Sequence, residues 1–575
     1  QQMYTGTLSV TANSTISLGG TSNRRLTWVN GTMNGSGNIN MTGANNQNDI
    51  FFLNGTNGNA HTGSWTVSAG RLIAGGGNAL GDTSAITING GGNGALDVRG
   101  SETIGSLAGN GRVRIVSGGP FTLTTGGNNS STTFSGILQN ALSIEKLGTG
   151  TMTLSGANTH TGTTTVERGN LQISNSSALG TAAGGTVISG LVSNVELRMV
   201  GNINVAAEPL TLHSTSSGAR STLRSVTGNN TFGGPVTTTG TGVIQIFADS
   251  GDTINITGDV TRIGSGILWR GNGGTGNISG TVDLGTANFI QTDNSTWNIN
   301  SSGHTWANTR IARGTLNLGV DNALPTTAGL IMNQGGTNNS TLNLNGFDQT
   351  VASVSHVNGS GNQTVVTNGG ALTVTGSYVD NTPALSLLDI SSGSATIGTG
   401  LTVDSVLVGN GGGNTGSLTV NGGTVNIGSG AANHNFIVGK NTGSSGSAPG
   451  TVDFSGASST AIDVNLFHVG DKGNTGGGSA RGRVTLAADN VITANEVVVG
   501  KSGNNGFDNP SQQSQIHLGG GTTTITTPSL IVGERKTTGL IDFTTPGGTL
   551  NLGSNANRTD ILLGHKNTST ANNAD

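Results

Sequence analysis

Residues 451–470 read TVDFSGASSTAIDVNLFHVG, and residues 483–500 read RVTLAADNVITANEVVVG. In the first stretch Thr451-Val452-Asp453-Phe454-Ser455 alternates polar and apolar side chains. Thr460-Ala461-Ile462-Asp463-Val464 does so again, and Leu466-Phe467-His468-Val469 runs to a closing glycine. The second stretch repeats the triplet as Arg483-Val484-Thr485-Leu486, Val491-Ile492-Thr493 and Glu496-Val497-Val498-Val499. Alternation with a period of two is a strand signal, because successive side chains point to opposite faces. The closing pair recurs as Val408-Gly409, Val438-Gly439, Val469-Gly470, Val499-Gly500, Val532-Gly533 and Leu563-Gly564, at spacings of 30, 31, 30, 33 and 31 residues. A period of that size marks a solenoid, in which one unit cannot bury its apolar face alone and stacks on its neighbours. Three strands of about five residues plus turns make one coil of a parallel β-helix, advancing about 4.8 Å per coil. Coiled throughout, the chain makes on the order of 19 coils and a rod of roughly 90 Å.

The closing pairs carry two structural expectations. Gly409, Gly439, Gly470, Gly500, Gly533 and Gly564 are expected at corners with positive φ, where a β-carbon is penalised. Leu407, Ile437, His468, Val498, Ile531 and Leu562 take the middle position of the same strands. If the following valines point inward, period two turns these six outward, and five of them are aliphatic. They then form an association stripe up one face. The alternative is a tight corner that turns both neighbours inward.

Composition agrees with a solenoid. The chain has 101 Gly in 575 residues, 3% aromatic and 9% charged residues. Thr suits outward strand positions, and Gly and Asn suit corners. A narrow β-helix core is expected to hold Val, Ile and Leu and few rings. The formal net charge of −4, with no basic run longer than Arg24-Arg25, leaves out the electrostatic footprint of nucleic acid or an anionic membrane. No apolar stretch of about 18 residues is present, so no helix of this chain spans a membrane. Zero Cys excludes disulfides, thiolate metal sites and Cys nucleophiles. The start at Gln1, without an initiator Met or an apolar leader, fits a secreted chain whose signal peptide has been removed.

Residues 142–180 read LSIEKLGTGTMTLSGANTHTGTTTVERGNLQISNSSALG. From Lys146 through Gly180 this closely resembles the autotransporter-associated β-strand repeat of passenger domains in bacterial type V secreted proteins. The carrying residues are Gly148-Thr149-Gly150, Leu154-Ser155-Gly156-Ala157-Asn158-Thr159, Thr161-Gly162, Gly169-Asn170-Leu171 and Ala178-Leu179-Gly180; His160 departs from the aromatic usual there. Weaker copies run from His61-Thr62-Gly63 to Asn78-Ala79-Leu80-Gly81 and from His304-Thr305-Trp306 to Asn322-Ala323-Leu324-Pro325. The resemblance implies an all-β fold, a long right-handed single-stranded parallel β-helix, displayed outside the cell or on the bacterial surface. On this reading residues 1–400 are an irregular β-helix with its strongest repeat copy at 142–180. Residues 401–575 continue it as regular 31-residue repeats, broken off inside a sixth unit. The family usually adds a C-terminal outer-membrane barrel, so a continuation or a capping partner is expected beyond Asp575.

Catalytic and metal motifs are not found. There is no G-x-S-x-G elbow, no H-E-x-x-H and no paired Asp-Asp. Gly500-Lys501-Ser502 lacks the earlier glycine of a phosphate loop, its place being Asn495. Asp249-Ser250-Gly251-Asp252 reads as a turn between two strands in preference to a Ca²⁺ or serine-nucleophile site. In Gly91-Gly92-Asn93-Gly94-Ala95-Leu96-Asp97 the carboxylate falls one place too late for a calcium nonapeptide. His61, His160 and His304 hold one recurring repeat position, which points to coil geometry. No catalytic, cofactor-binding or metal-binding residue is therefore assigned, and no cofactor. The favoured function is a non-enzymatic structural or adhesive surface solenoid that associates with itself, a surface receptor or a glycan. A glycan-active β-helix enzyme is the alternative, and five Trp and two Tyr provide few saccharide platforms for it.

Overall fold

The computed structural model describes residues 2–565 except 19–24, 30–31, 44–47, 55–59, 91–93, 192–193, 216–217, 265, 334–337, 358–360, 381–384, 443–445, 474–478, 502–512, 535–536 and 554–557. The chain divides into two compact units, Gln1–Leu284 and Gly285–Asp575. Both are all-β, built of short parallel strands stacked coil on coil as a β-solenoid, with about 20 turns in all. Among the described residues no helix is long and apolar enough to cross a membrane. The change of regularity expected at residue 400 falls inside the second unit.

In the first unit most coils lay down three strands, the coil of Gly70–Ala74 and Ala85–Ile88 having two among the described residues. Arg112–Ile115, Phe121–Thr125 and Thr132–Phe134 stack on Ile137–Asn140, Leu142–Lys146 and Thr151–Leu154. These stack in turn on Thr159–His160, Thr164–Val166 and Gly169–Ile173. The pattern follows from alternation: one phase of each strand is apolar and faces the interior, so that Leu72, Leu96, Val113 and Leu138 form one continuous buried ladder. Burial of each such side chain contributes roughly 1.5–3 kcal/mol. Outward positions are filled by polar groups that also ladder, as where Asn277 Nδ2 donates to Asn255 Oδ1 at 2.8 Å and Asn255 Nδ2 to Asn229 Oδ1 at 2.6 Å.

In the second unit the early coils show two strands each among the described residues. Phe289–Gln291 and Thr296–Ile299 pair with Asn308–Ile311 and Gly314–Leu318, which pair in turn with Gly329–Met332 and Ser340–Asn343. A third ladder starts at Gln349–Val351. Further on, Ser459–Lys472 is one long strand that pairs with both Thr424–Ile427 and Asn435–Asn441, so two of the three strands inferred for that coil are continuous. Coil length is also less uniform than the 31-residue period suggests, since Thr151 pairs with Asn170 whereas Asn426 pairs with Ala461.

The core holds more rings than composition led us to expect. Trp65, Trp269, Trp297, Tyr378, Phe51, Phe134, Phe232, Phe289, Phe436, Phe454 and Phe467 are all fully buried. Stacking explains this. A ring is accommodated when a neighbouring coil presents another ring or a small residue: Phe436 stacks on Phe467 at 4.9 Å between centroids, and Phe51 packs near Trp65 at 5.9 Å.

Candidate functional site

The closing strands of the second unit pair in register as the Val-Gly spacing requires. Leu407, Ile437, His468, Val498, Ile531 and Leu562 lie in one ladder across six coils. The glycines that follow, Gly409, Gly439, Gly470, Gly500, Gly533 and Gly564, have φ between 62° and 82°. At Gly439 a β-carbon would collide with the backbone of Arg481 and Gly482 in the next sheet, so close approach as well as φ requires glycine there.

The stripe itself is not the exposed apolar surface that alternation suggested. Leu407 and Leu562 are half-buried, whereas Ile437, His468, Val498 and Ile531 are buried, Val498 completely. Charged side chains on either side of the stripe cover it. Glu496, two residues before Val498, receives Lys501 Nζ from beyond the corner at 3.4 Å, so this pair bridges over Val498. One coil away, His468 reaches Glu496 with Nε2 at 3.1 Å and Asp471 with Nδ1 at 3.2 Å. Past the corner, Lys440, Asp471, Lys501 and Glu534 are register partners in successive coils, so their charges alternate in sign along the stack. The hydrogen bond from His468, offset by partial burial, holds the Glu496 carboxyl down at about 2. Burial disfavours the His468 imidazolium, but its two carboxylate partners outweigh this and raise its pKa.

Other singled-out residues are held by the fold. Asp97 is fully buried and paired with Arg71 and Arg114, the latter at 2.8 Å, so its carboxylate is committed to arginine; Gly91, Gly92 and Asn93 lie outside the described residues, as does Ser502. Asp249 pairs with Arg224 at 2.9 Å, its carbonyl accepts the amide of Asp252, and Asp252 Oδ1 accepts the amide of Gly228. That is a turn bound to a neighbouring coil. His61 contacts Gly37 O at 2.8 Å, His160 contacts Thr164 Oγ1 at 3.0 Å and His304 contacts Ser301 O at 3.0 Å, all three rings being buried. Burial pulls His160 down to about 4.

Three polar features escaped the sequence reading. Lys146, 1% exposed, donates Nζ to the carbonyls of Leu147, Gly148 and Arg168 at 2.6, 3.0 and 3.2 Å, and burial pulls it down to about 8. Glu102 accepts the amides of Ala79 and Leu80, and burial pushes it up to about 7 against those bonds. Gln349 serves the equivalent Leu324 by accepting its amide at 2.9 Å. In the second unit His356, Tyr378, Asp380, Asp404 and His434 form a polar track through adjacent coils, with His356 to Asp380 at 3.9 Å and His434 to Asp404 at 3.6 Å. Among the described residues, no group of three or more His, Cys, Asp or Glu is arranged to hold a metal ion.

The geometry of the repeats agrees with what known proteins share with this chain. Residues 50–74 and 144–173 match the family Passenger-associated-transport-repeat, and they include the coils bearing the Arg71 and Lys146 contacts. The copy read at His304 lies outside that match. Over 314 residues, 51% of this chain, the sequence is 29% identical to the "Adhesin BmaC autotransporter" of Brucella suis biovar 1 (strain 1330). The aligned region is 8% of that relative's length. No solved structure matches the chain. Two stretches of the chain thus carry repeats of the Passenger-associated-transport-repeat family, folded as coils of a parallel β-solenoid, and about half of the chain is similar to an autotransporter adhesin.

Proposed function

We propose that this chain is an adhesin-like passenger segment that acts outside the bacterial cell, through contact along its outward polar and charged ladders and without catalysis. The observation that carries the reading is the similarity to an autotransporter adhesin across about half of the chain. The side chains support it: the carboxylates and imidazoles that a catalytic reading would use, Asp97, Asp249, Asp252, His61, His160 and His304, are engaged in ion pairs or hydrogen bonds that brace neighbouring segments. Self-association through the Leu407 to Leu562 stripe is not retained, because four of its six residues are covered. The test is adhesion. Beads coated with the purified chain should attach to cultured epithelial cells well above albumin-coated beads, and soluble chain should compete. Attachment at the albumin level would reject the adhesive reading.

A further inference from the structure

We propose that the outer face of the first sheet of the amino-terminal unit binds a sulfated polysaccharide running along the stacking direction; this deepens the adhesive reading and rests on it. In the column Arg25, Ile50, Arg71, Ala95 and Arg112 the residues are register partners in consecutive coils. The adjacent outward column is Thr27, Phe52, Ile73, Asp97 and Arg114. Between the two lies the inward ladder of Phe51, Leu72, Leu96 and Val113, which fixes the sense of both.

The face is unusually cationic for this chain. Among the described residues of the two columns Arg25, Arg71, Arg112 and Arg114, with Arg99 beside them, stand against one carboxylate, Asp97, in a protein whose formal net charge is −4. Arg25 and Arg99 lie over the Phe52 ring at 5.6 and 5.5 Å, which orders both guanidinium planes and leaves their N–H edges free to donate. Arg112 Nε is buried and makes no hydrogen bond. Outward-pointing Ala95 and Asp97 are nonetheless fully buried, so the surface a ligand meets is made of the arginines lying across them.

Spacing selects the ligand class. In the first column arginine occupies every second coil, which at about 4.8 Å per coil places guanidinium groups about 10 Å apart, Arg71 sharing one edge with Asp97. That is on the order of the advance of one disaccharide in an extended sulfated polysaccharide. Nucleic-acid phosphates are much denser, at about 3.4 Å of rise per strand. A guanidinium edge pairs with sulfate oxygens by two parallel hydrogen bonds, as it does with phosphate.

Heparin is the probe, with hyaluronan as an unsulfated polyanion and a single-stranded oligonucleotide as a phosphate polyanion. The full chain should bind heparin with an affinity that falls linearly on a log-log plot against salt. The double variant R25Q/R112Q should lose about tenfold or more and show a shallower salt slope, with an unchanged circular dichroism spectrum. R168Q/R220Q, which removes two exposed arginines elsewhere in the same unit, should bind as the parent does. Equal heparin affinity for R25Q/R112Q and the parent, or equally tight binding of hyaluronan or the oligonucleotide, would overturn the proposal. Cell attachment that persists while heparin binding is absent would overturn this inference and leave the adhesive reading standing. Heparin binding without cell attachment would do the reverse.

Discussion

Replacing Gly439 by Val tests the corner geometry where its consequence is largest. Gly439 has φ of 72°, and a side chain there faces the backbone of Arg481 and Gly482, which cannot swing away as a flexible side chain would. The left-handed backbone alone is penalised by about 1–2 kcal/mol. Displacing backbone in a packed stack adds about 1–3 kcal/mol, giving about 2–5 kcal/mol in total. Gly533 provides the comparison: its φ is 75°, but the nearest atom to an added β-carbon is Thr537 O at 3.0 Å. G533V should therefore show mainly the backbone penalty. Because a stack of coils opens locally, the assay is hydrogen exchange and not a single melting midpoint. Amides in Asn435–Asn441 and Ser479–Thr485 should exchange about 30-fold faster or more in G439V. The change around Gly533 in G533V should be clearly smaller. Equal effects of the two substitutions would refute close approach as the reason for glycine at 439, and no effect of either would refute the corner reading altogether.

The Glu496–His468–Asp471 network makes stability depend on pH at both ends. Glu496 is depressed from 4.5, so its contribution is present above pH 4.5 and is lost as pH falls toward 2; His468 is raised from 6.5, so its contribution is present below 6.5 and fades as pH rises through its higher folded value. H468Q should flatten both arms, by about 1 kcal/mol after solvent screening, in thermal melts across pH 3 to 9. D97A leaves Arg71 and Arg114 without their buried partner and should destabilise that coil by about 3 kcal/mol, read as faster exchange in Gly94–Val98 and Arg112–Ile115. K146A removes the donor to three carbonyls and should loosen Leu142–Lys146 and Gly169–Ile173 by about 2 kcal/mol, whereas K146R should recover part of it. Proteolysis confined to those coils is the readout for Lys146.

Much of the fold was legible because a stacked coil converts sequence period directly into register. The Val-Gly spacing correctly placed Leu407, Ile437, His468, Val498, Ile531 and Leu562 in one ladder. What it could not give was lateral coverage. Glu496 and Lys501 meet over Val498 only once the corner at Gly500 folds them together, and an alternating pattern counts Val498 as outward without knowing what lies across it. Ring burial was missed for a related reason. Aromatic content describes the whole chain, whereas room for Phe436 is made locally by Phe467 on the neighbouring strand and Phe454 just past the end of another. Lys146 and Glu102 did carry a signal. Lys146 shares phase with Leu142 and Ile144, and Glu102 with Ile104, so both had to point inward and needed buried partners. The arginine face was hidden because Arg25, Arg71 and Arg112 are widely separated in sequence and align only once coil lengths are fixed.

Register between neighbouring coils carries the whole account, and engineered disulfides measure it directly in a chain that has no cysteine of its own. Thr402 and Asn426 are register partners on outward positions, which puts their Cα atoms about 4.8 Å apart, within the range that a disulfide bridges. T402C/N426C should oxidise nearly completely under mild conditions and, after cleavage between the two sites, hold the fragments together in a non-reducing gel. T402C/T424C, displaced by two residues along the same strand, should oxidise far less. Preferential bridging of the displaced pair, or of neither, would contradict the parallel in-register solenoid on which the outward ladders depend.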